Sequence, residues 1–118
     1  MSEPDVSKHS EDMSYKNLHI GVSGMQGWRM SMEDAHSCMT NFDDKGSSLF
    51  GVFDGHGGKE VADYCAQNLH RFLLDSEAYS EGDVKKALKE AFMNIDEALT
   101  TEEVIQELKG LYLSTLLL

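Results

Sequence analysis

The hydrophobic period of this chain changes at Gly55-His56-Gly57-Gly58. Upstream, apolar and polar residues alternate from Leu18 to Met25, and an apolar run closes on Gly51-Val52-Phe53. Successive side chains of a strand face opposite sides of a sheet, so the pattern predicts strands over 18–25, 35–42 and 48–53. Downstream, Val61, Cys65, Leu69 and Phe72 or Leu73, flanked by Ala62 and Ala66, recur at helical spacing. Val84, Leu88, Ala91, Phe92, Ile95 and Leu99 repeat that spacing behind Asp83, a good N-cap residue. Thr100 with Glu103 resembles a capping box for a third, shorter helix. Both long helices carry one apolar stripe, which needs a sheet to cover it.

The flanks are less regular. Residues 1–16 are polar, aperiodic and contain the only proline, the pattern of a mobile lead-in. Asn41-Phe42-Asp43-Asp44-Lys45-Gly46 has the residue types of a hairpin turn. Asp43 and Asp44 lack the spacing of a calcium loop and read as turn residues. Trp28, the only tryptophan, reads as a packing anchor beneath a turn. The apolar stretch from Gly110 to Leu118 reads as a core strand.

Charge and cysteine content narrow the function classes. Ten Lys and Arg against 21 Asp and Glu give a formal charge of -11, which disfavours nucleic acid and anionic lipid as partners. Cys38 and Cys65 show no Cys-x-x-Cys spacing and read as reduced structural thiols, which points to an intracellular protein, cytoplasmic or nuclear. The apolar tail is far shorter than the ~20 residues of a membrane helix.

Chemistry concentrates at two places. Phe53-Asp54-Gly55-His56 ends a strand with a carboxylate, a bare glycine carbonyl and an imidazole that titrates near neutral pH. In Arg29-Met30-Ser31-Met32-Glu33-Asp34-Ala35, an extended backbone would put Arg29, Ser31 and Glu33 on one side. A guanidinium fork suits phosphate or carboxylate oxygens, and an all-oxygen donor set suits Mg²⁺ or Mn²⁺ rather than zinc. Taken singly, each residue has an ordinary structural reading as an ion pair, a turn or a hydrogen-bonded histidine. The P-loop and dinucleotide signatures both fail, since Glu60 follows Gly58-Lys59.

Met25-Gln26-Gly27-Trp28-Arg29-x-x-Met32-Glu33-Asp34-Ala35-His36, followed by Phe53-Asp54-Gly55-His56-Gly57-Gly58, resembles the N-terminal part of the metal-dependent protein serine/threonine phosphatases of the 2C type. The resemblance runs from about Gly21 to Leu74. It implies an α+β fold, the N-terminal part of a four-layer αββα sandwich, in which antiparallel strands over about 18–54 precede helices over about 58–75 and 83–100. Residues 17–118 would be a partial catalytic domain ending in a truncated tail at 110–118.

By the same resemblance, Asp54 bridges two Mg²⁺ or Mn²⁺ ions, and Glu33 and the Gly55 carbonyl serve the second ion, with Asp34 nearby. Arg29 binds the substrate phosphate, and His56 is the general acid for the leaving seryl or threonyl oxygen. The reaction implied is hydrolysis of phosphoproteins by a metal-activated water. The family's later Asp-Gly-x-x-Asp and Asp-Asn motifs do not occur in this sequence, so it carries the N-terminal half of such a site. The alternative is a catalytically inactive product that acts as a binding or regulatory module.

Overall fold

The computed structural model describes residues 1–116, which fall into two compact units, Met1–Met32 and a second that begins at Glu33. In the first unit, β1 (Asp5–Tyr15) pairs antiparallel with β2 (Leu18–Gly27), with an irregularity between Asp5 and Lys8. Tyr15 opposes Leu18, so the loop is Lys16-Asn17, and Lys16 takes the positive φ of 52° that a tight hairpin needs. Most of the 1–16 segment, expected to be a mobile lead-in, is therefore strand. No apolar alternation announces β1 because its side chains are mostly exposed. It is held by its ladder and by cross-strand polar pairs, Ser10 Oγ to Ser23 Oγ at 2.8 Å and Ser14 Oγ to His19 Nδ1 at 3.1 Å.

In the second unit, β3 (Ala35–Met39) pairs antiparallel with β4 (Leu49–Phe53), Ala35 opposite Phe53 and Met39 opposite Leu49. Both strands are shorter than the predicted spans because the intervening turn takes up 40–48. There Asn41, Asp44 and Gly46 adopt positive φ, and the Asn41 side-chain oxygen accepts from the Gly46 N–H at 2.8 Å. One face of the hairpin is covered by α1 (Glu60–Leu74), with Ala35 and Ser37 buried. The other face leaves Phe50 46% and Val52 79% exposed.

Three further helices follow, α2 (Glu77–Ser80), α3 (Val84–Ala98) and α4 (Glu102–Leu116). The larger core cluster forms where α1 meets α2, α3 and α4, around Leu69, Leu73, Ala87, Ala91, Ile95 and Val104. Burying Leu69 and Leu73, 3% and 2% exposed, contributes ~1.5–3 kcal/mol each. Ala87 and Ala91 are wholly buried, and their short side chains let α1 and α3 approach closely. Asp83 caps α3 as its residue type predicts, accepting from the Lys86 N–H at 3.1 Å.

Several expectations change. Val61 and Phe92, counted in the apolar stripes, are 48% and 56% exposed, because each stripe is narrower than the sequence implies. The cap of α4 is Thr101, whose Oγ1 accepts from the Val104 N–H at 3.4 Å. Thr100, expected in that role, instead donates to the Glu97 carbonyl at the end of α3. The strand expected over 110–118 is helix as far as Leu116, and residues 117 and 118 lie outside the described residues. A short leucine-rich run suits either state, and here it extends a helix already started by Glu102 and Glu103. Among the described residues no helix is long and apolar enough to cross a membrane.

Candidate metal and phosphate site

The ladder of β3 and β4 brings two acidic segments to one end of the hairpin. Ala35 opens β3 and Phe53 closes β4, and they are direct partners. Glu33-Asp34, just before Ala35, and Asp54-Gly55, just after Phe53, therefore leave the sheet side by side. Glu33 is half-buried, while Asp34, Asp54 and His56 are exposed.

Gly55 shows how close the two segments come. A Cβ built there would collide with the Glu33 carbonyl oxygen and would lie 3.2 Å from the Ala62 methyl. Only glycine allows that approach. Gly57 and Gly58 then turn the chain with φ of 72° and 131°, conformations that side chains disfavour. This reversal lets α1 begin at Glu60 and run back beneath the strands, with Glu60 and Asp63 in its first turn facing the positive end of the helix dipole.

The donors fit a hard cation in chemical type. Glu33, Asp34, Asp54 and the Gly55 carbonyl offer oxygen alone, and the Glu33–Gly55 contact gathers them at one edge. Among the described residues, no group of three or more His, Cys, Asp or Glu side chains converges on one point.

Arg29 belongs to the first unit and sits on a turn rather than in a strand. Its N–H donates to the Gln26 carbonyl at 3.4 Å, the Gln26 side-chain amide donates to the Arg29 carbonyl at 2.9 Å, and Gly27 takes φ of 65°. The chain from Trp28 to Asp34 is turn, bend and irregular backbone. The alternation expected to align Arg29 with Glu33 does not apply to it. Trp28, expected to pack beneath the turn, is 65% exposed.

Residue types alone did not reveal a clasp on the β3–β4 turn. Asp43 accepts from the Lys45 and Ser47 N–H groups at 2.9 and 3.1 Å, and from the Tyr79 hydroxyl at 2.6 Å. The Phe42 ring sits 5.9 Å from that of Tyr79. Ser47 first and Tyr79 second hold the Asp43 carboxyl well below the usual carboxylate range. Asp43 is thus a turn residue, as expected, and the turn is tied to α2.

A model of the protein phosphatase 2C family matches residues 18–110. The chain belongs to the protein phosphatase 2C family. It is 51% identical over 111 residues to bovine "Protein phosphatase 1G", covering 92% of this chain and 20% of that protein. It is 49% identical over 111 residues to "Probable protein phosphatase 2C 11" of Oryza sativa subsp. japonica, covering 94% of this chain and 30% of that protein. With "Probable protein phosphatase CG10417" of Drosophila melanogaster it shares 47% identity over 109 residues, 92% of this chain and 16% of that protein. The chain thus spans 16% to 30% of the length of these curated relatives.

The family is generally metal-dependent, in keeping with the oxygen-only donors of this 2C-family chain. Its antiparallel strand pairs followed by helices agree with the N-terminal part of the family fold. The family match spans both segments that the motif resemblance rests on, the Arg29–Asp34 region and Asp54–Gly58. Sequence reasoning read Ala62, which lies against Gly55, only as part of a helical stripe. Its position directly behind the glycine turn was the available clue.

Proposed function

We propose that this chain carries the Arg29, Glu33, Asp34, Asp54 and His56 portion of a protein serine/threonine phosphatase that hydrolyses phosphoserine and phosphothreonine with two Mg²⁺ or Mn²⁺ ions. The observation that supports it best is the pairing of Ala35 with Phe53, which sets Glu33-Asp34 and Asp54-Gly55 at one end of one hairpin. Asp54, Glu33 and the Gly55 carbonyl would hold the ions, with Asp34 beside them. Such ions, when bound, supply an activated water and neutralise phosphate charge.

The side chains supply the remainder. Arg29 presents a planar fork for two oxygens of a phosphate monoester. His56, exposed beside Asp54, donates a proton to the seryl or threonyl oxygen as it leaves, a role commonly worth ~10²–10⁴ in rate. Recognition directed at phosphate leaves the peptide sequence free, so phosphoproteins as a class are the substrates.

The test is release of phosphate from a phosphothreonine peptide by the chain, with Mn²⁺ and with EDTA, beside Asp54→Asn. Turnover that needs Mn²⁺ and disappears in Asp54→Asn is expected for the phosphatase. Mn²⁺ binding without turnover would assign the chain to a metal- or phosphate-binding module. Equal behaviour of wild type and Asp54→Asn would sink the metal assignment.

A further inference from the structure

The contact between Glu33 and Gly55 has a third member. Ala62 is 4% exposed in the first turns of α1 and belongs, with Ala35 and Ala66, to a small cluster packed against Phe53. Its methyl lies 3.2 Å from the point a Gly55 Cβ would occupy, on a residue already in contact with the Glu33 carbonyl. Glu33, Gly55 and Ala62 thus meet around one point: the backbone before β3, the backbone after β4, and the helix that packs on the strands. Every residue of that cluster is alanine apart from Phe53, so the helix rides close to the strand ends.

We infer that Ala62 is a positioning residue whose small side chain leaves room for Gly55 to lie against the Glu33 carbonyl and so sets how closely the Glu33 and Asp54 segments approach. The inference rests on the metal reading proposed above. The physical reason is volume. Ala62 is buried among Gly55, Ala35, Ala66 and Phe53, interiors are packed to crystal-like density, and added methyl groups there displace neighbours. The Glu33 carbonyl oxygen and the Ala62 methyl both border the same point beside Gly55, so added bulk at residue 62 enters the space where the two acidic segments meet. Enlarging residue 62 therefore parts the two acidic segments, while shrinking it leaves them where they are.

The two directions separate positioning from stability. Ala62→Val adds volume, whereas Ala62→Gly adds none but weakens α1 through helix propensity. The measurement is Mn²⁺-induced broadening of the amide signals of Glu33, Asp34, Asp54 and Gly55 in the 118-residue chain, which detects weak binding directly. Wild type is expected to broaden at both segments over one Mn²⁺ range. Ala62→Val is expected to need about tenfold more Mn²⁺, in line with the effect of altering residues that support metal ligands, and Ala62→Gly to match wild type although it melts lower. Wild-type broadening in Ala62→Val, or equal impairment in both variants, would overturn the inference.

Asp54→Asn keeps the two readings apart. If it broadens as wild type does, or if wild type does not broaden at all, the metal reading fails. The positioning role is then decided by the metal-free spectra. There Ala62→Val must shift the Glu33 and Gly55 amides together and Ala62→Gly must not, and unshifted signals in Ala62→Val would refute it.

Discussion

The Tyr79 hydroxyl donates to Asp43 Oδ2 at 2.6 Å across a sequence separation of 36 residues. This bond ties the β3–β4 turn to α2, and it sets how the chain answers acid. The Asp43 carboxyl is held below its ordinary range, so the fold binds fewer protons there than the unfolded chain. Its contribution is complete above the unfolded carboxylate pKa of about 3.9 and is lost as pH falls through the lower folded value. Wild type should therefore melt earlier below about pH 4, whereas Tyr79→Phe should melt a few degrees lower at pH 7 and show a weaker acid dependence. Circular dichroism melts from pH 2 to 7 read both.

His70 should add a second, milder pH dependence. Its Nδ1 is buried without a partner among the described residues, and burial, reinforced by the Arg71 charge, pushes its pKa down. The fold favours the neutral ring, so this contribution is complete above about pH 6.5 and is lost as pH falls through the lower folded value. Histidine ring signals followed by NMR should show His70 titrating below the ordinary histidine value of about 6.5. Titration at or above that value would contradict the packing of α1.

The contact between α1 and α3 depends on small residues. Ala91 is fully buried there, so Ala91→Leu should destabilise the chain by ~1–3 kcal/mol through overpacking. Leu73→Ala should cost ~2–5 kcal/mol by opening a cavity. Urea unfolding at fixed pH measures both, and a neutral result at either position would argue against this helix pairing.

Trp28 should behave as a surface reporter. With 65% of it exposed, its fluorescence should sit near the emission of free tryptophan in water and be quenched readily by acrylamide. Trp28→Ala should change stability by less than about 0.5 kcal/mol. A blue-shifted, protected emission would restore the buried anchor that its residue type suggests.

The hairpin, both long helices and the acidic motif were legible in the sequence because each rests on a local rule. Apolar alternation marks β2, an apolar run marks β4, helical spacing marks α1 and α3, and Asp83 caps α3 as its chemistry requires. What was hidden depended on partners distant in the chain. β1 buries little and is stabilised by its pairing with β2, so no pattern marks it. The bent path of 28–34 comes from Gly27 and the Gln26 side chain, which residue alternation does not encode. The Leu-rich end of α4 fits helix or strand equally well by composition. At the candidate site the acids were readable as a motif, whereas the role of Ala62 appears only when helix and strands meet.

The pairing of Ala35 with Phe53 makes the turn over 40–48 a ruler. One residue more or fewer there slips the ladder by one place and turns every β4 side chain to the opposite face. A change of two keeps the faces but carries Asp54 ~7 Å along the strand, away from Glu33. The turn can thus exchange residue types freely at its exposed positions, while its length is fixed by carboxylates that lie beyond the far ends of both strands. An insertion at Lys45, which touches neither acid, would on the proposed metal reading act as the loss of a ligand.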